Sequence, residues 1–428
     1  MLRFFTAMIL LSAALVDLAS TAHAQEWPRF RGPNGTGESE IATIPPTWTD
    51  DDYNWTVDLP GIGHSCPILW GNRLFILSAD QQTATRHALC YDADTGEKLW
   101  RHDFASLPHN LHKLSSYASS TPAADADHVY FAWADPANLN LLTFTHDGEL
   151  VWKKELGPWF GQHGFGSSPM LIDDLVILSN SQEAKQGGKP VEILPESSML
   201  AFDRLTGEER WRTPRQTDHV TYSVPAVFQP ADGPPLLVNT STGNGLYALD
   251  PKTGEEVWSA AVFNKRTVSS PLVKGNLIFG SNGSGGGGNF VTAVRSDGKA
   301  AELAYQVNDQ APYVPCVVAR DNLLFLISDA GVAACLDLPT GKVHWRKRIG
   351  GNYQGSPVRA ADKIICPNAD GEVVILAASD KFAELGRVKL PEGTRSTPAV
   401  ARGCLYLRTF SHLMSIGGDH AKTALKAP

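Results

Sequence analysis

Ten residues with reactive or charged side chains recur at one kind of place in this sequence, a few positions ahead of a proline: His64, Tyr117, His163, His219, Tyr222, Arg266, Tyr313, Tyr353, Gln354 and Arg395. Imidazoles, phenols and guanidiniums brought together can bind an anionic or planar ligand, or a loop of a partner protein. The plainer alternative is that they stack on one another and line a wet channel. Which applies depends on the elements that carry them.

Other chemistry-bearing patterns are weaker. The run "GSGGGG" (283–288) has no following Lys-Ser or Lys-Thr and no helix to open, so it reads as a flexible loop and not a phosphate cradle. His109 and His112 have helical spacing, but Pro108 precedes them and no third ligand is near, so no metal site is read there. "YDADTG" (91–96) begins like a calcium loop and lacks the later ligands. Asp329 and Asp370 are scattered acids outside any ligand series, and neither a GxSxG elbow nor an HExxH helix occurs.

The elements come from repetition. "YDADTGEKLW" (91–100), "FDRLTGEERW" (202–211), "LDPKTGEEVW" (248–258, with a leading Ala) and "LDLPTGKVHW" (336–345) are copies of one unit, and "FTHDGELVW" (144–152) and "VRSDGKAAELAY" (294–305) are looser ones. Catalytic motifs are seldom needed so often, but a hairpin turn is needed once per structural repeat. Asp bonds its own backbone, Gly supplies positive φ, and the closing aromatic packs between neighbouring sheets. A second signature runs in phase: a small or polar residue, a proline, a strand, a polar turn and another strand. Its prolines are Pro67, Pro122, Pro169, Pro225, Pro271, Pro315, Pro357 and Pro398, spaced as propeller blades are.

Each unit reads as strands A to D, with A starting at the proline. The last unit lacks strand D, while "YNWTVDLPG" (53–61) is an orphan strand D. The expected fold is therefore all-β: an eight-bladed β-propeller of four-stranded blades, closed by pairing of an N-terminal strand with the C-terminal blade. In blade 7 Leu385 is expected where the aromatic should be, and in blade 5 Tyr305. The expected division is a signal peptide over 1–24, cleaved near Ala24, an irregular lead-in over one face of the ring at 25–52, a single propeller at 53–418, and a tail at 419–428. The apolar stretch at the start is too short for a comfortable membrane span.

A net charge of −8 without a basic stripe speaks against nucleic acid and anionic lipid as partners. The six cysteines (Cys66, Cys90, Cys316, Cys335, Cys366, Cys404) sit singly in apolar runs, as small buried hydrophobes do, with a disulfide as the alternative.

These Asp-x-x-Thr-Gly-x-x-x-Trp units resemble the pyrroloquinoline-quinone (PQQ)-like propeller repeats, a family that holds quinoprotein alcohol dehydrogenases and non-enzymatic scaffolds of the BamB type. "EWPRFRGPNGTG" (26–37) is similar to the lead-in of secreted bacterial members. The resemblance implies a central funnel site at the loops that join B to C and D to the next A. In the dehydrogenases it implies PQQ with Ca²⁺, an Asp base and adjacent cysteines, and this chain has no adjacent cysteines. The expectation is a secreted or periplasmic binding or scaffold protein without a cofactor, acting on a protein partner or small ligand at the funnel. The alternatives are a PQQ- and Ca²⁺-dependent dehydrogenase with a reduced site, and a hydrolase or lyase whose funnel site carries no familiar motif. The polar insertion 179–198, with Val191, Ile193 and Leu194, is the loop where a partner contact would arise most readily.

Overall fold

The computed structural model describes residues 26–41, 43–183, 185–186, 189–190, 196–217 and 219–418. The expected signal peptide, the tail, and Val191, Ile193 and Leu194 of the insertion lie outside the described residues.

Blade 1 shows how the sequence builds a sheet. Its inner strand is Ile68–Trp70, followed outward by Arg73–Ala79, Arg86–Asp92 and Lys98–Phe104, all antiparallel. The middle strands are apolar and buried because neighbouring blades cover both their faces. The outermost strand alternates along its length, as an edge facing solvent must. Six further blades follow within 123–155, 170–214, 226–260, 272–307, 318–348 and 358–389, and the eighth lies within 399–417. Its outer strand comes from the other end of the chain: Tyr53–Asp58 pairs antiparallel with His412–Gly417, Trp55 opposite Ser415. Eight blades and the N- to C-terminal closure are thus as the sequence implies. Among the described residues no helix is long and apolar enough to cross a membrane.

The repeated aromatic docks on the turn of the next blade. Trp100 Nε1 donates to the His146 carbonyl at 2.8 Å, Trp152 to Arg204 at 3.1 Å, Trp211 to Pro251 at 2.9 Å and Trp345 to Ser379 at 2.9 Å. Tyr305 substitutes with its hydroxyl, 2.5 Å from the Leu338 carbonyl. The turn glycine lies against the ring: a Cβ on Gly148, at φ +93°, would meet Trp100 at 2.9 Å. Asp92 caps its turn by accepting the N–H groups of Asp94 and Thr95, both at 3.0 Å, so "YDADTG" is a turn and its carboxylate is occupied.

Blade 7 departs from the expectation. A register shift beside Ile375 puts Gly386, not Leu385, opposite it, at the position where Trp100 faces Cys90. A Cβ on Gly386 would stand 1.9 Å from the Pro46 carbonyl oxygen, so residues 46–48 of the lead-in fill the aromatic slot, and Leu385 faces solvent.

Pro315 is likewise two residues out of phase. The inner strand of blade 6 begins at Val318, so Val317 stands where the other prolines stand and Cys316 takes the place ahead of it. Aligned this way, the residues just before the inner strands form a belt of hydrogen bonds from blade to blade. Cys66 N–H donates to Thr121 Oγ1 (3.0 Å), Thr121 N–H to Ser168 Oγ (2.9 Å) and Val224 N–H to Ser270 Oγ (2.9 Å). Ser270 N–H continues to Cys316 Sγ (3.3 Å), Cys316 N–H to Ser356 Oγ (3.0 Å), Ser356 N–H to Thr397 Oγ1 (2.9 Å) and Thr397 N–H to Cys66 Sγ (3.2 Å). The one break falls between Ser168 and Val224, whose side chain has no acceptor. This belt explains the hydroxyl or thiol ahead of the prolines, since each buried N–H needs a partner. All six cysteines are free and buried.

The lead-in crosses the hub against the inner strands. Trp27 exchanges backbone hydrogen bonds with Leu69 at 3.1 and 2.9 Å, and Ala124 N–H donates to Pro28. Arg29 reaches the Pro225 carbonyl (2.6 Å), and Arg31 reaches those of Val317 (2.5 Å) and Pro357 (3.1 Å). Glu38–Ser39 then adds a parallel strand to the inner edge of blade 7. Residues 27–39 of the lead-in thus lie against the inner strands of blades 1, 2, 4, 6 and 7.

Candidate functional site

The loops running from strand D of one blade to strand A of the next converge on a cavity of about 680 Å³, which Phe30 lines from the lead-in. His64, His163, Tyr222, Tyr313, Gln354 and Arg395 line it, as ring geometry implies. The other four candidates do not. Tyr117 turns aside to exchange hydrogen bonds with the His109 backbone at 2.7 and 3.0 Å, beneath the Arg86 guanidinium. Arg266 and His219 both hold Glu183, each at 3.0 Å, and so anchor the root of the long insertion. Tyr353 is buried in the core between blades 6 and 7. His109 bonds the Leu107 carbonyl, while His112 packs edge-on against His163 with ring centroids 4.6 Å apart.

The charges in the lining follow from burial. His64 is held neutral, down to about 3, by burial first and then by Arg395 and Arg408. His163 is lowered to about 4 by burial, reinforced by Arg266 and His112. Asp329 is pushed up by burial, against the pull of the Tyr313 and Val314 N–H groups that its carboxylate accepts at 2.6 and 3.1 Å. Arg395 stacks over the Phe410 ring at 5.1 Å, and its lowered pKa comes from burial alone. Three lining atoms have no hydrogen-bond partner: Tyr222 Oη, Gln354 Oε1 and Arg395 Nε. Among the described residues no group of three His, Cys, Asp or Glu side chains is placed to hold a metal ion.

Sequence reasoning did not foresee Phe30, Asn352 or the belt residues Cys66, Thr121, Ser168, Cys316, Ser356 and Thr397 in the lining. For the belt the signal was present, as the hydroxyl or thiol beside seven of the eight prolines. For Phe30 there was none, because nothing local says that the lead-in enters the hub.

A family profile described as outer membrane protein assembly factor BamB, the second PQQ-like repeat profile, matches residues 48–186, 195–318 and 311–387. The chain belongs to this PQQ-like repeat family. The quinoprotein ethanol dehydrogenase of Pseudomonas putida is 29% identical over 133 residues, 30% of this chain and 20% of the relative. That of Pseudomonas aeruginosa is 23% identical over 206 residues, 46% of this chain and 29% of the relative. The PQQ-like chain thus spans under a third of the length of the curated relatives it matches. Among solved structures, a europium-containing methanol dehydrogenase superposes with a TM-score of 0.67 at 12% identity, covering 90% of both chains. BamB from Moraxella catarrhalis superposes with 0.59 at 13% identity, covering 85% of this chain and 98% of that one. At these identities the likeness is one of fold.

Proposed function

We propose that this PQQ-like propeller is an exported, non-catalytic binding protein that takes a ligand or partner group into the hub cavity. The observation that carries the reading is the trio of unpaired polar atoms, Tyr222 Oη, Gln354 Oε1 and Arg395 Nε, in the lining of one cavity. These three atoms belong to residues that line one cavity, where a bound group would satisfy them together. The family's scaffold member agrees with such a role, while the dehydrogenase relatives supply the rival reading.

The lining residues do not fit a PQQ–calcium pair. Calcium takes about six to eight oxygen ligands. Asp329, the acid in the lining, already accepts two backbone N–H groups. PQQ carries three carboxylates, and the unpaired cation available to them in the lining is Arg395.

The test is a thermal-unfolding scan of the purified protein with and without saturating PQQ and Ca²⁺, beside a small-molecule screen read the same way. The expected result is no shift with the cofactor pair, and a screen ligand whose stabilisation is weakened by Tyr222→Phe or Gln354→Leu. A saturable rise with PQQ and Ca²⁺ would overturn the proposal in favour of a dehydrogenase.

A further inference from the structure

We propose that the hub cavity takes an amphipathic organic anion, its carboxylate or sulfonate head on Arg395 and its apolar body lying past Phe30 toward Tyr222. This rests on the binding reading above and narrows it to a ligand class.

Arg395 is a half-buried cation without an acidic partner. Its contact is the Phe410 ring, which fixes the guanidinium plane and leaves its donors free. The charged groups around it supply no counter-ion. Arg408 points its guanidinium at the carbonyls of Ser65 and Leu77, at 3.1 and 2.6 Å. Glu392, three residues earlier, is held by Thr409 Oγ1 at 2.6 Å, by the Ser411 N–H at 2.7 Å and by His412 at 2.8 Å. Asp329 faces the cavity from blade 6 but already accepts two N–H groups. Partial burial of a cation without a counter-ion is unfavourable, and an anionic ligand head offsets it with charge-assisted hydrogen bonds.

The opposite wall has the other character. In an eight-membered ring the loop before blade 4 lies across from the loop before blade 8. From blades 3 and 4 come Phe165, Val224 and Tyr222, and Phe30 adds a ring from the lead-in. One wall is thus cationic and the other aromatic and aliphatic, which matches an anion with an apolar body. The Tyr222 hydroxyl offers a single polar contact along that body.

The experiment is a fluorescence titration of the folded protein with two dyes that share a ring system and differ in one group. These are 1-anilinonaphthalene-8-sulfonate and the uncharged N-phenyl-1-naphthylamine. The sulfonate dye is expected to bind at a single saturable site, more tightly than its neutral analogue. Arg395→Gln should weaken the sulfonate dye by about tenfold or more and leave the neutral dye unchanged. Arg101→Gln, on the outer edge of blade 1, should change neither. On the wild-type protein, decanoate should displace the sulfonate dye and decanol should not, which keeps the test valid if Arg395→Gln fails to fold. Equal affinity for both dyes, equal displacement by decanoate and decanol, or sulfonate binding insensitive to Arg395→Gln in a folded variant would each overturn the proposal. If both dyes fail while an uncharged screen ligand responds to Tyr222→Phe, the anion assignment falls and the binding reading stands.

Discussion

The indole N–H of Trp55 donates to the carbonyl of Ala93 at 3.0 Å, tying the N-terminal strand seated in blade 8 to the turn between the third and fourth strands of blade 1. This contact repeats the docking of Trp345 on Ser379 between blades 6 and 7, but it closes the circle. Both indoles are largely buried, so each change to Ala should cost about 3–5 kcal/mol, read from denaturant midpoints. The two variants should differ in hydrogen exchange. Trp55→Ala is expected to expose His412–Gly417, which Tyr53–Asp58 covers, and Trp345→Ala to leave that strand protected.

The belt of hydrogen bonds lacks one link, at Val224. Its counterparts in seven blades present a hydroxyl or thiol to the N–H of the preceding blade. Val224→Thr keeps the side-chain shape and places a hydroxyl where Ser168 N–H can reach it. The expected outcome is a gain of about 1 kcal/mol in chemical denaturation. A loss of stability would mean that the Ser168 N–H does not face this position.

Gly386 leaves room for the lead-in in blade 7. Gly386→Ala would drive a Cβ to 1.9 Å from the Pro46 carbonyl oxygen, displacing residues 46–48. The expected cost is about 1–3 kcal/mol, with new proteolytic cleavage near Trp48 as the local signature. Leu385→Ala, at the exposed neighbour, should be nearly silent in both measurements.

Acid should destabilise the protein in two stages. His64 stays neutral in the folded state down to about 3, while the unfolded chain takes up a proton near its ordinary value of 6.5. The unfolded state therefore gains protons that the native state refuses, and stability falls as pH drops below about 6.5. Glu392 is buried in part, but hydrogen bonds from Thr409, Ser411 and His412 overcome that and lower it to about 2. Its contribution is present above the ordinary value of 4.5 and is lost as pH falls toward 2. Urea midpoints taken from neutral pH down to about pH 4 should fall more shallowly in His64→Gln than in the wild type.

The ring was legible because its parts repeat: the prolines number the blades, and the orphan strand within 53–61 identifies the closure. Side-chain direction was less legible. Gln354 and Tyr353 are neighbours ahead of the same proline, yet one lines the cavity and the other enters the core between blades. Arg266 sits where a funnel residue should, but Glu183, 83 residues earlier, captures it. The slot at Gly386 was misread by one position because a register shift beside Ile375 is invisible in the sequence, as is the segment that fills it. What repeats can be counted from the sequence, whereas what crosses from one repeat or the lead-in to another needs the tertiary structure.

Seating Tyr53–Asp58 beside His412–Gly417 also sets the order of assembly. The lead-in and this strand are among the first parts of the propeller to be synthesised, yet their partners include the last-made strands of blade 8 and the inner edge of blade 7. Blades 1 to 6 can pair locally as they emerge, but closure must wait until the far end of the chain arrives. Contacts of such long sequence separation make folding slow and leave the early segments unpaired meanwhile. A circular permutant that begins at Ser65, with Gly418 joined to Glu26 by a short linker, would leave only the linker and the lead-in between the two closing strands and should fold faster with the same final hub.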